Sequence, residues 1–61
     1  MKNNVRKYRK AAGLTLNQLS NISGIPVSTL SDIERGAEPR MITALRIAKA
    51  LRARVDQLWS L

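Results

Sequence analysis

The chain has no cysteine, no histidine and no phenylalanine. Without cysteine no disulfide can brace it, and without cysteine and histidine the usual zinc ligands are missing. No metal site and no cofactor is therefore expected. Aromatics are limited to Tyr8 and Trp59, too few to build a platform for stacking unpaired bases. Acidic residues are also scarce, with four Asp and Glu against eleven Lys and Arg. So few carboxylates on a small scaffold give no acid–base pair and no nucleophile beside a base, and an enzyme is not expected. No apolar run approaches the roughly 20 residues that cross a bilayer. The basic N-terminus is not followed by the apolar segment of a signal peptide. A cytoplasmic protein with no membrane partner is the expectation.

What is present is positive charge. The formal balance of +7 points to a polyanionic partner, most often nucleic acid, or else to a solvated basic surface. Sixty-one residues are read as one domain, residues 1–61. A chain of this size buries only about 60% of its unfolded surface, so its core is small and helix packing must hold it, aided by self-association.

The chain is organised around residues 15–36. Thr15 and Gln18 have the spacing of a capping box, and Leu16, Leu19 and Ile22 follow at helical intervals. Gly24 then offers a residue able to close a helix with positive φ. A second helix starts near Pro26, whose φ suits a first turn, buries Leu30 and Ile33, and ends at Gly36. Its outer side shows Val27, Ser28, Ser31, Asp32 and Arg35. Before this unit, residues 4–12 read as a helix with Val5, Tyr8 and Ala12 on one side. After it, Pro39 favours a new helix over residues 40–51, with Met41, Ala44, Leu45, Ala48 and Leu51 inward. A short last helix covers residues 55–59, with Val55 and Leu58 turned inward. The fold class is all-α, with five short helices.

Leu19-x-x-x-x-Gly24-Ile25 followed by Ser28-Thr29-Leu30-Ser31-x-Ile33-Glu34-Arg35-Gly36 resembles the helix-turn-helix of the phage repressor and Cro-like family, also called XRE-type. The resemblance runs from about Val5 to Trp59. It implies a prokaryotic or phage-encoded DNA-binding domain whose second helix enters the major groove. It places Val27, Ser28 and Asp32 at base-contacting positions. Val27 suits a thymine methyl and Ser28 donates or accepts. Asp32 either accepts from a cytosine amino group, excludes wrong sites, or pairs with a nearby arginine. All three are also ordinary exposed positions on a helix.

Phosphate contacts are expected from the backbone of Thr15, from Asn17, from Arg35 and Arg40, and from Lys7 with help from Arg6. Relatives commonly carry a glutamine where Leu16 stands, so Asn17 and the Thr15 backbone are its substitutes. The resemblance also implies a structural pair between Arg9 and Glu34. In relatives a glycine follows the fourth helix, whereas Arg52 stands there in this chain. Two-fold dimers of such domains place their reading helices about 34 Å apart on one DNA face. The interface expected for a homodimer is the C-terminal Val55, Leu58, Trp59 and Leu61, the alternative being that Trp59 folds back on its own core. Ile42 is a further exposed apolar candidate.

The leading expectation is thus a sequence-specific, double-stranded-DNA-binding transcription regulator, a repressor acting as a dimer. An antitoxin that controls its own operon and binds a small protein partner uses the same module. A cationic membrane-active protein is the alternative from another class, since charge and amphipathic helices suit a lipid surface. Circular dichroism separates the two classes. Cooperative thermal melting in plain buffer is expected, and helix forming only with lipid would mean the membrane class.

Overall fold

A computed structural model describes residues 2–60. It contains α1 (Val5–Ala11), α2 (Leu16–Ser23), α3 (Val27–Glu34), α4 (Met41–Leu51) and α5 (Val55–Leu58). No strand occurs among the described residues. The α2 start is fixed locally: the Gln18 amide donates to Thr15 Oγ1 at 3.1 Å, and the Thr15 amide donates to Gln18 Oε1 at 2.8 Å. A cap of this kind stabilises a helix by about 1 kcal/mol. Pro26 stands just outside α3, at its N-cap, with φ −56°.

The turn between α2 and α3 holds the central pair together. Gly24 has φ +74°, and its amide donates to the Ser20 carbonyl at 2.8 Å. Ser23 is buried but satisfied: Oγ donates to the Leu19 carbonyl at 2.7 Å and accepts from the Ile25 amide at 3.3 Å. Ile25 is thereby turned into the core, only 5% exposed. α4 packs against α1, α2 and α5, while α3 packs against α1 and α2. Val5, Leu19, Leu30, Ile33, Ile47 and Leu58 form the centre of the core.

Several apolar residues differ from the sequence reading. The inward stripe of α4 is Ala44, Ile47, Ala48 and Leu51, at intervals of three and four. Met41 and Leu45 point outward, at 71% and 47% exposure. They share a flank one helical step away from this stripe, and the two alanines let α4 approach its neighbours closely. Ile22 is exposed because Ser23, one step further round α2, takes the inward place. Ala12 is exposed as well, and Arg9, one turn after Val5, occupies the inward position on α1.

Residues 3–4 close the bundle from the other end. The Asn4 amide donates to the Leu58 carbonyl at 2.8 Å, and its side chain donates to the Gln57 carbonyl at 3.0 Å. Asn3 Nδ2 donates to the Ile33 carbonyl at 2.8 Å, while Asn3 Oδ1 accepts from the Val5 amide. The Gln57 and Leu58 carbonyls at the end of α5 have no partner within that helix, and the Ile33 carbonyl at the end of α3 accepts from the Gly36 amide at 3.0 Å as well.

Arg52 ends α4 with φ +53°, the left-handed conformation that a side chain disfavours. The strain at Arg52 exceeds the flexibility cost of a glycine there. Arg52→Gly is expected to raise stability by about 0.5–1 kcal/mol and the melting temperature by about 2–8 °C. Gly24→Ala is expected to do the reverse, losing about 1 kcal/mol to the backbone conformation alone, because no atom lies within 4 Å of the added methyl group. Thermal melts of both variants check this. An unchanged or lower melting temperature for Arg52→Gly contradicts it.

Candidate nucleic-acid interface

The inner side of α3 is locked before its outer side can do anything. Leu30 and Ile33 are buried in the core. Glu34 receives two bonds from Arg9, Nε to Oε2 at 2.7 Å and Nη2 to Oε1 at 3.2 Å. The third direction of the guanidinium is used by Nη1, which donates to the Leu14 carbonyl at 2.8 Å. Both side chains are about nine-tenths covered, at 10% and 8% exposure. The hydrogen bonds it donates to Glu34 hold the Arg9 guanidinium charged, with its pKa above the ordinary arginine value despite burial. The structure thus brings Arg9 and Glu34 together, and α1 and α3 cannot slide past each other without breaking a directional fork.

The outer side carries Ser28, Thr29, Asp32 and Arg35, all exposed. Val27, expected to stand outward, is half-buried and offers only part of its side chain. Asp32 and Arg35 approach to 3.9 Å at 68% and 78% exposure. A pair so open to water contributes at most about 1 kcal/mol and leaves both groups able to turn to another partner. Of the three readings of Asp32, the pairing with a nearby arginine is thus present in the structure as a weak contact.

Basic residues border α3 on both sides. On one side a groove is lined by Arg6, Leu16, Ser31 and Arg35. Arg6 lines this groove, and Lys7 is exposed on α1 outside it. On the other side a cleft is lined by Thr29, Asp32, Arg40, Thr43 and Arg46. Arg40 lies there, at the N-cap of α4. Thr29, Thr43 and Arg46 were not picked out from the sequence. The spacing of Thr29 and Asp32, three apart on one helix, is the sequence signal for Thr29. Thr43 and Arg46 carry no such signal, because they belong to another helix.

The N-terminus of α2 is more occupied than expected. The Thr15 amide is taken by Gln18, so the expected Thr15 backbone contact is withdrawn. The amides of Leu16 and Asn17 have no partner within their own helix, and Asn17 is exposed beside them. The C-terminal expectation changes too. Leu58 is fully buried in its own chain and presents nothing to a second one. Trp59 packs back against the core, half-buried, as does Val55. Leu61 lies outside the described residues.

Two helices joined by a glycine-closed turn, the second pinned inward and polar outward between basic borders, define a helix-turn-helix domain. A family model described as Helix-turn-helix matches residues 5–58. The chain belongs to this family, in its repressor and Cro-like form, a family of DNA-binding regulators. It is also similar to an uncharacterised HTH-type transcriptional regulator of Methanocaldococcus jannaschii, 46% identical over 41 residues. That match covers 67% of this chain and 24% of the relative, so the chain spans about a quarter of the relative's length.

Removing one member of the Arg9–Glu34 pair strands the other. Glu34→Leu or Arg9→Met alone is expected to cost about 3–5 kcal/mol. This is comparable with the whole stability of about 3–9 kcal/mol for a domain of this length. The double variant, with two apolar residues facing each other, is expected to recover much of the loss. Urea denaturation of the four proteins measures the coupling. Additive losses would show that the two charges do not depend on each other.

Proposed function

We propose that this chain is a sequence-specific, duplex-DNA-binding regulator of transcription, a repressor that reads a two-fold site as a dimer in the cytoplasm. The observation that carries this reading is the two-sided character of α3. Leu30, Ile33 and Glu34 anchor it, while Ser28, Thr29 and Asp32 face away from the core. Eight residues make a helix about 12 Å long, and the major groove is about 12 Å wide. The helix therefore meets only a few base pairs. In this reading Ser28 and Asp32 meet base edges, with the exposed part of Val27 against a thymine methyl. Arg35 and Arg40 hold phosphates on the two sides, joined by Asn17 and by Arg6 or Lys7.

A few base pairs give too little discrimination for one head, since each good contact contributes about 1–3 kcal/mol. Pairing of two heads answers that need. Met41, Ile42 and Leu45, at 71%, 57% and 47% exposure, give α4 the apolar surface for it that the buried Leu58 does not. Similarity to the M. jannaschii protein, itself named a transcriptional regulator, supports the same reading. No helix among the described residues is long and apolar enough to cross a membrane.

Selection of bound sequences from a random duplex pool tests the proposal. A symmetric consensus is expected. Ser28→Ala and Val27→Ala should then change the preferred bases more than general affinity. Arg40→Ala should weaken all sites alike and reduce the slope of log K against log salt by about one. A folded chain that selects no sequence over competitor DNA at modest salt overturns the proposal.

A further inference from the structure

A second groove lies away from the outer side of α3, between the C-terminal half of α2 and α4. Its floor is apolar, from Leu14, Ile22 and Ala50, and its rim is basic, from Arg46, Lys49 and Arg52. Ile22 is 58% exposed at the edge of this floor. Three of the four acids of the chain are in ion pairs elsewhere: Glu34 with Arg9, Asp32 with Arg35, and Asp56 with Arg54. No acid lines this groove, and its three cations have no ion-pair partner among the described residues. We propose that this groove is a docking site for an acidic, amphipathic helical segment of another protein, with apolar side chains on Ile22 and carboxylates on the three cations.

Two other occupants fit worse. A sugar–phosphate backbone would satisfy the rim but leave the apolar floor unfilled. A second copy related by a two-fold axis would lay one wholly basic rim against another, and like charges so placed oppose association. An acidic helix with apolar residues at intervals of three and four satisfies both parts of the groove at once. Arg46 also lines the cleft beside Thr29 and Asp32. A segment in the groove and a duplex on α3 thus draw on one cation, and each weakens the other by the same factor. This last link rests on the DNA-binding reading, whereas the groove itself does not.

The test is a titration of the isotope-labelled full chain with synthetic helical peptides, followed by amide NMR shifts. One peptide carries leucine at helical spacing with glutamate on its flanks. A second replaces the leucines by serine, and a third replaces the glutamates by lysine. Only the first is expected to bind, shifting Ile22, Lys49 and Ala50, with weaker binding at higher salt. Ile22→Glu and Lys49→Glu should each weaken it about tenfold. Both positions are exposed, and thermal melting checks that the variants fold. Equal binding of the serine peptide, shifts confined to α3, or full affinity in both variants overturns the proposal. So does self-association of the wild-type chain that Ile22→Glu abolishes, because a second copy would then cover the groove. Duplex affinity measured with saturating leucine–glutamate peptide should fall, and an unchanged value overturns the link through Arg46.

Discussion

The Arg9–Glu34 fork is the constraint from which the functional surface follows. Hydrophobic burial draws α3 against the bundle and turns Leu30 and Ile33 inward, but it fixes register only loosely, because that force has no direction. A planar guanidinium does have direction. It fixes the last turn of α3 to α1 through two bonds and to the chain after α1 through the Leu14 carbonyl. Once those three bonds and the burial of Leu30 and Ile33 are satisfied, the outward set on α3 is determined. The cost of burying two charges comes with α3 held in one orientation. Whether the stability gained is large matters less than that the alternatives leave a charge stranded.

The rest of the bundle relies on small, well-placed polar groups as much as on apolar area. Ser23 is the clearest case. A hydroxyl that accepts from one amide and donates to one carbonyl lets the turn before Ile25 sit inside the core without an orphan group. The acids are used in a similarly economical way. Glu34 is buried in its pair, and Asp32 and Asp56 each approach an arginine close in sequence. Most of the cations are left facing water, and those on both sides of α3 give the polar helix its positive borders.

Local chemistry was readable in the sequence, and long-range choice was not. The capping box at Thr15 and Gln18, the positive φ at Gly24 and the inward Leu30 and Ile33 all depend on residues within a few places of one another. They appear in the structure as the spacing implied. The inward side of α4 was misread at Met41 and Leu45, because several apolar residues share that helix and periodicity alone offers two overlapping stripes. Ile47 belongs to the true stripe because of where α2 and α5 lie. Val27 differs for another reason: the resemblance places it outward, whereas it stands three residues before Leu30 and seven before Glu34, on the flank of the inward side, and is half-buried there. Thr43 and Arg46 enter the cleft beside α3 from a different helix. Asn3 and Asn4 find carbonyls at Ile33, Gln57 and Leu58, about 30 to 54 residues away in sequence. No pattern along the chain records such meetings.

The bonds of Asn4 have a topological consequence. They hold the backbone at residue 4 within 2.8 Å of the carbonyl of residue 58, so the beginning and end of the folded path lie side by side. A peptide bridge joining them would need only a few residues and would leave every helix where it is. New ends could then be opened in an exposed connection such as residues 37–38, on the far side of the chain's order. The same adjacency lets the unit be spliced into a surface loop of an unrelated host, entering and leaving through one point.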